Sequence, residues 1–171
     1  GNMTSYPFQP VESLGGPGTG NVVRLESPGL GPQEYFLVEY RDNTLPSYDS
    51  ALPGSGLLIW HIDEEKWNAW ELNTYECRST PCCSGQCPTW HPLVALEQAD
   101  GLLDLENVGN YSPLINFGDA GDPFPGTPGN PNPTFAFGTN PESGSYMPPS
   151  CPSDSCIAVQ QIVNTIPGLI S

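Results

Sequence analysis

Apolar positions in this chain gather into short runs separated by turn residues, and the runs carry the spacing of strands rather than helices. The clearest is Glu34–Arg41 (EYFLVEYR), rich in aromatic and β-branched residues. Leu57–Asp63 (LLIWHID) follows a Gly54-Ser55-Gly56 break and is apolar on both faces for its first four residues. That pattern predicts a central strand covered on two sides. Asn21–Glu26, Leu93–Gln98 and Ile157–Val163 read as further strands, with a short one at Phe135–Phe137. The one helical signal, Asp63–Leu72, supports two turns, and no apolar stripe is long enough for a bundle. The expectation is an all-β fold: a mostly antiparallel sheet or β-sandwich, rich in loops and poor in helix. Residues 1–20, dense in Gly and Pro, read as an extended arm or linker before a single β-rich domain over 21–171. The stretch from Asp100 to Ser155 is nearly free of strand signal. A loop region that long needs ties, and metal ions or disulfides are the obvious ones.

Composition refines this picture. The 171 residues include 19 Gly and 21 Pro, a level at which disorder becomes a concern. Four Trp, seven Tyr and six Phe, concentrated in the runs above, argue for a packed core. The formal charge is −15, from 19 acids against four bases. Such a surface repels nucleic acid, which is bound by displacing counterions with Lys and Arg, and it attracts cations. Six cysteines fall in two local groups: Cys77, Cys82, Cys83 and Cys87, then Cys151 and Cys156. An even number in local groups reads as disulfides and an oxidising compartment, hence an extracellular, secreted or cell-surface chain. Cys83-x3-Cys87-x3-His91 has tolerable zinc spacing, but the CxxC pairs of structural zinc sites are missing, so two local disulfides are favoured in a Cys-rich loop at 77–87. Cys151 and Cys156 are expected to pair with each other. No run approaches the ~20 apolar residues of a membrane span, and the chain opens at Gly1 without a signal peptide, as a processed or truncated chain would.

A search for catalytic groups finds no complete set. The only histidines, His61 and His91, stand 30 positions apart, so the HExxH of a zinc peptidase is absent. A GxSxG elbow is absent too. His61 lies in the most apolar run and reads as a satisfied core histidine. The acidic loops are richer in chemistry. Asp100-Gly101 and Asp104 follow a strand, and Gly118-Asp119-Ala120-Gly121-Asp122 sets two carboxylates three apart between glycines. Short Asp/Gly loops suit calcium, a hard cation taking six to eight oxygens, and Asn130 and Asn132 could add amide oxygens. The same residues also build plain turns. Asn2-Met-Thr and Asn110-Tyr-Ser are N-glycosylation sequons.

Four segments in order, Glu34–Arg41 (EYFLVEYR), Leu52–Asp63 (LPGSGLLIWHID), Gln98–Asp104 (QADGLLD) and Gly118–Gly126 (GDAGDPFPG), resemble the immune inhibitor A-type secreted zinc metallopeptidases. The resemblance covers roughly residues 21–165 and the part of that family that follows its HExxH. It implies a calcium-stabilised β-region whose zinc and catalytic ligands lie outside this chain. It nominates Asp119 and Asp122, then Asp100, Asp104 and Asp63, as calcium ligands. The partner it implies is the missing N-terminal catalytic region, and the Cys-rich loop looks like an insertion into the family pattern. Two rival readings belong to other classes. One is a structural or adhesive module that self-assembles with further copies through its N-terminal arm. The other is a carbohydrate-binding module using Trp60, Trp67, Trp70 and Trp90, although packing explains tryptophans equally well.

Overall fold

The structure, a computed structural model, describes residues 22–45, 48–68, 91–105, 117–146 and 153–163. Its frame is a four-stranded antiparallel sheet in the order β1-β2-β3-β4, formed by Val22–Leu25, Glu34–Arg41, Gly56–Asp63 and Val94–Leu96. Strands β2 and β3 pair along their whole length, from Glu34↔Asp63 to Arg41↔Gly56. They are the two runs with the strongest β-branched and aromatic content, and both sit in the middle of the sheet, as the double-faced apolar pattern of the Leu57–Asp63 run predicts for β3. The outer strands are shorter than their sequence patterns suggest. β1 ends at Leu25, before Glu26, while Asn21 lies outside the described residues, and β4 keeps three residues of the Leu93–Gln98 run.

β3 has a second neighbour on its β4 side. Leu57 and Phe124 exchange both backbone hydrogen bonds at 2.9 Å, so the chain around residue 124 continues the edge where β4 stops. Gly56 permits this approach: a Cβ there would collide with the Phe124 carbonyl. Two further ribbons lie outside the main sheet, Gly126–Thr127 with Asn130–Pro131 (β5, β6) and Phe135–Ala136 with Ala158–Val159 (β7, β8). The Ile157–Val163 run gives only the two residues of β8, and Phe135–Phe137 gives the two of β7. The two-residue hairpin strands β5 and β6 carry no apolar alternation, so periodicity does not reveal them. Among the described residues the layer over the sheet is therefore ribbons and loops rather than a second broad sheet. One short helix, Glu65–Asn68 (α1), follows β3, where Asp63 Oδ1 accepts the Glu65 N–H at 2.9 Å as an N-terminal cap.

The core is aromatic and aliphatic. Phe36, Val38 and Ile59 of the sheet meet Phe124, Phe135, Ile157 and Ile162 of the cover. Phe135 is the keystone, edge-on to Phe36 with centroids 5.2 Å apart and to Phe124 at 5.9 Å. No disulfide forms among the described residues, and Cys156 is exposed with a free thiol. Its expected partner Cys151, the Cys-rich loop at 77–87, the arm at 1–20 and both sequon asparagines, Asn2 and Asn110, lie outside the described residues. Among the described residues no helix is long and apolar enough to cross a membrane.

Candidate metal centre

The acidic residues are placed by the edges of the sheet. After β4, Glu97 N donates to the Ile59 carbonyl at 2.9 Å and Ala99 N donates to the Asp122 carbonyl at 2.9 Å. The second bond clips the loop bearing Asp100 and Asp104 to the loop bearing Asp119 and Asp122. The latter loop is anchored in turn by the Leu57–Phe124 pairing two residues on. Underneath, Asn132 Nδ2 donates to the Ala99 carbonyl at 2.8 Å and to the Asn140 carbonyl at 3.0 Å. Asn132 is thus a strut below the Asp100 loop, held through its amide nitrogen. Asn130 belongs to β6 and is exposed.

Each loop orients its carboxylates locally. Asp100 Oδ1 accepts the Leu102 N–H at 3.0 Å and Asp119 Oδ1 accepts the Gly121 N–H at 2.6 Å, both two-residue Asx contacts. The buried Gln98 side chain accepts the Asp104 N–H at 2.8 Å. Asp122 Oδ2 accepts the Asp119 N–H at 2.6 Å. Gly101 and Gly118 take φ of 68° and 102°, angles at which other residues are strained, and so allow both loops to turn back on themselves. The result is one carboxylate oxygen each from Asp100, Asp104 and Asp119, all within 4.8 Å of one another.

Three features besides proximity fit a cation. The donors are all hard oxygens. Gly121 leaves a cradle, since a Cβ there would stand 2.9 Å from both Asp100 Oδ2 and Asp119 Oδ1. Asp122 is 4 % exposed, and its Oδ1 is buried with no hydrogen-bond partner. A buried, unpaired carboxylate oxygen carries a desolvation cost that a bound ion would remove. Burial pushes the Asp122 carboxyl above its ordinary range; the Asp119 N–H pulls it down, and the charges of Asp119, Asp100 and Asp104 push it up again.

Four of the five nominated acids thus share one neighbourhood. Asp63 does not join them: its carboxylate caps α1 and meets His91 Nε2 at 2.5 Å. Asp63 is engaged there, outside the Asp100, Asp104 and Asp119 group. Leu102, Leu103 and Phe117, on the two acidic loops, are exposed, and Leu103 adopts φ 55°. Of the tryptophans, Trp60 is held by its Nε1–H to Glu39 at 3.0 Å, Trp67 is exposed, and Trp70 and Trp90 lie outside the described residues.

A second polar cluster was invisible to motif reasoning because it has no sequence spacing. His61 is buried with both ring nitrogens engaged, Nε2 with Glu34 Oε1 at 2.7 Å and Nδ1 with Glu97 Oε1 at 3.2 Å. That agrees with its reading as a satisfied core histidine. Glu34 also accepts the Gly31 N–H, the Ser145 hydroxyl and the Tyr146 N–H, at 2.9, 2.6 and 2.8 Å. The Tyr146 ring is stacked between His61 and His91, with both centroid separations 4.0 Å. Comparison with profiles of known protein families, with curated proteins and with solved structures returns no match.

Proposed function

We propose that this chain is the non-catalytic, calcium-stabilised β-domain of a secreted metallopeptidase-like protein. The observation that carries the reading is the group of carboxylate oxygens from Asp100, Asp104 and Asp119, with Gly121 leaving room beside Asp100 and Asp119 and a buried, unpaired Asp122 oxygen on the same loop as Asp119. Calcium is the favoured ion because the group consists of carboxylate oxygens without nitrogen or sulfur, on turning loops that tolerate long, variable bonds. An ion there ties residues 100–104 to 119–122, which holds together the long strand-poor region flanking the sheet. The four ordered segments that resemble the immune inhibitor A-type peptidases support the metallopeptidase context. In that context zinc belongs to a preceding catalytic region, and the exposed Leu102, Leu103 and Phe117 offer it apolar contact. The six cysteines support local disulfide stapling and an extracellular location.

Calorimetric titration of the metal-free chain with calcium tests the ion. One saturable event is expected, abolished in an Asp100→Asn/Asp119→Asn double variant. The absence of heat up to millimolar calcium, or an unchanged isotherm in the variant, would remove calcium from the account. The peptidase context is tested separately by the reading frame of the source gene: an HExxH is expected upstream, and a frame without one removes that role.

A further inference from the structure

The buried polar cluster joins the two layers of the molecule, and at its centre is one side chain, His61, whose contacts depend on a proton. His61 belongs to β3, in the centre of the sheet. Its Nε2 faces Glu34 of β2, and its Nδ1 faces Glu97 just beyond β4. A neutral imidazole has one N–H, so it can donate to only one of the two carboxylates; the other would face a nitrogen lone pair. Only the doubly protonated ring satisfies both contacts, in a site where His61 and Glu34 are each about fully enclosed, at 1 % side-chain exposure. Glu34 is at the same time the acceptor for the Ser145 hydroxyl and the Tyr146 N–H, and His61 stacks on the Tyr146 ring at an interplanar angle of 13°. The segment from 143 to 146 belongs to the cover: Ser143 N donates to the Ala136 carbonyl, Ser143 Oγ to the Ile157 carbonyl, and Ser145 pairs with Ser153. We infer that His61 with its two carboxylates is a proton-operated latch, which holds residues 143–146 of the cover against the sheet while both ring nitrogens are protonated and releases them when one proton is lost.

The groups facing the latch come from every element packed on it. They are Glu34 from β2, Glu97 after β4, Tyr146 from the cover and, beyond the Tyr146 ring, His91 paired with Asp63 of β3; Phe36 covers the remaining side at 4.2 Å. Burial pulls the His61 ring below its ordinary range, but hydrogen bonds and charge from Glu34 and Glu97 outweigh it and raise the ring above 6.5. Burial pushes Glu34 up, and His61, Ser145 and the Gly31 N–H outweigh it, holding the carboxyl at about 2. A raised histidine stabilises fully below 6.5 and loses that contribution as pH rises through its folded value. A depressed glutamate stabilises above 4.5 and loses its contribution as pH falls toward about 2. The latch is therefore tightest between 4.5 and 6.5 and opens on the alkaline side.

The test uses the 171-residue chain, with imidazole nitrogen NMR to read the His61 protonation state and hydrogen exchange to read the opening of residues 143–146. Both ring nitrogens are expected to carry protons at pH 6. Opening of 143–146, corrected for base catalysis, is expected to rise about tenfold per pH unit above 6.5 and to level off at the His61 midpoint, while β2 and β3 stay protected. Glu97→Gln, at the edge of the cluster, is expected to keep the fold and shift that midpoint to lower pH. A neutral His61 at pH 6, opening of 143–146 that ignores the His61 titration, or a midpoint unmoved by Glu97→Gln would each overturn the latch.

Discussion

Asp122 shows how one residue can be both a cost and an asset. Its Oδ1 is buried without a partner and three other carboxylates raise its pKa, so in the metal-free chain the ionised form is unfavourable. Asp122→Asn removes that repulsion. The variant is expected to melt higher than the parent without calcium, by about 2–4 °C if the relief is ~1 kcal/mol, and to bind calcium more weakly. Paired thermal melts with and without the ion check both halves. The carboxylates at this centre were legible in the sequence because Asp and Gly in alternation mark turns that aim oxygens inward. Asp63 was not, since its partner His91 is 28 residues away and only the fold brings them together. The same holds for Glu34, whose bonds to Ser145 and Tyr146 span 111 and 112 residues.

At the scale of elements, the central hairpin β2–β3 follows from residue type alone. Eight-residue runs this rich in aromatic and branched side chains bury much of both faces, so they take the middle of the sheet. The ribbons outside it do not follow, because two-residue strands have no period to read. Their stability is borrowed from the Phe36–Phe124–Phe135 contacts. Phe135→Ala should therefore cost about 3–5 kcal/mol, measured by denaturant unfolding, and should loosen β7–β8 exchange before that of β2–β3. A loss below about 1 kcal/mol would show that the cover does not depend on this ring. The opposite strategy appears at Arg41, which bonds Glu39 at 3.2 Å and Asp49 at 3.1 Å on a half-buried rim. Arg41→Met is expected to leave Asp49, whose Oδ2 is already without a partner, as an unpaired buried charge. The unfolding free energy should fall, and the loss should shrink in an Asp49→Asn background.

Across the whole molecule the charge is −15, and the described residues hold few long regular elements. Self-repulsion on that scale opposes compactness, and four carboxylates in one neighbourhood concentrate it. Bound calcium would convert that local repulsion into a cross-link between residues 100–104 and 119–122. The central claim is thus a statement about stability, and the thermal melt of the chain in excess calcium against excess chelator tests it most directly. The melting temperature is expected to rise by several degrees with calcium, for about 2–3 kcal/mol of linkage at saturating ion, and the rise should vanish in the Asp100→Asn/Asp119→Asn variant. Superimposable melts in calcium and chelator would contradict the account.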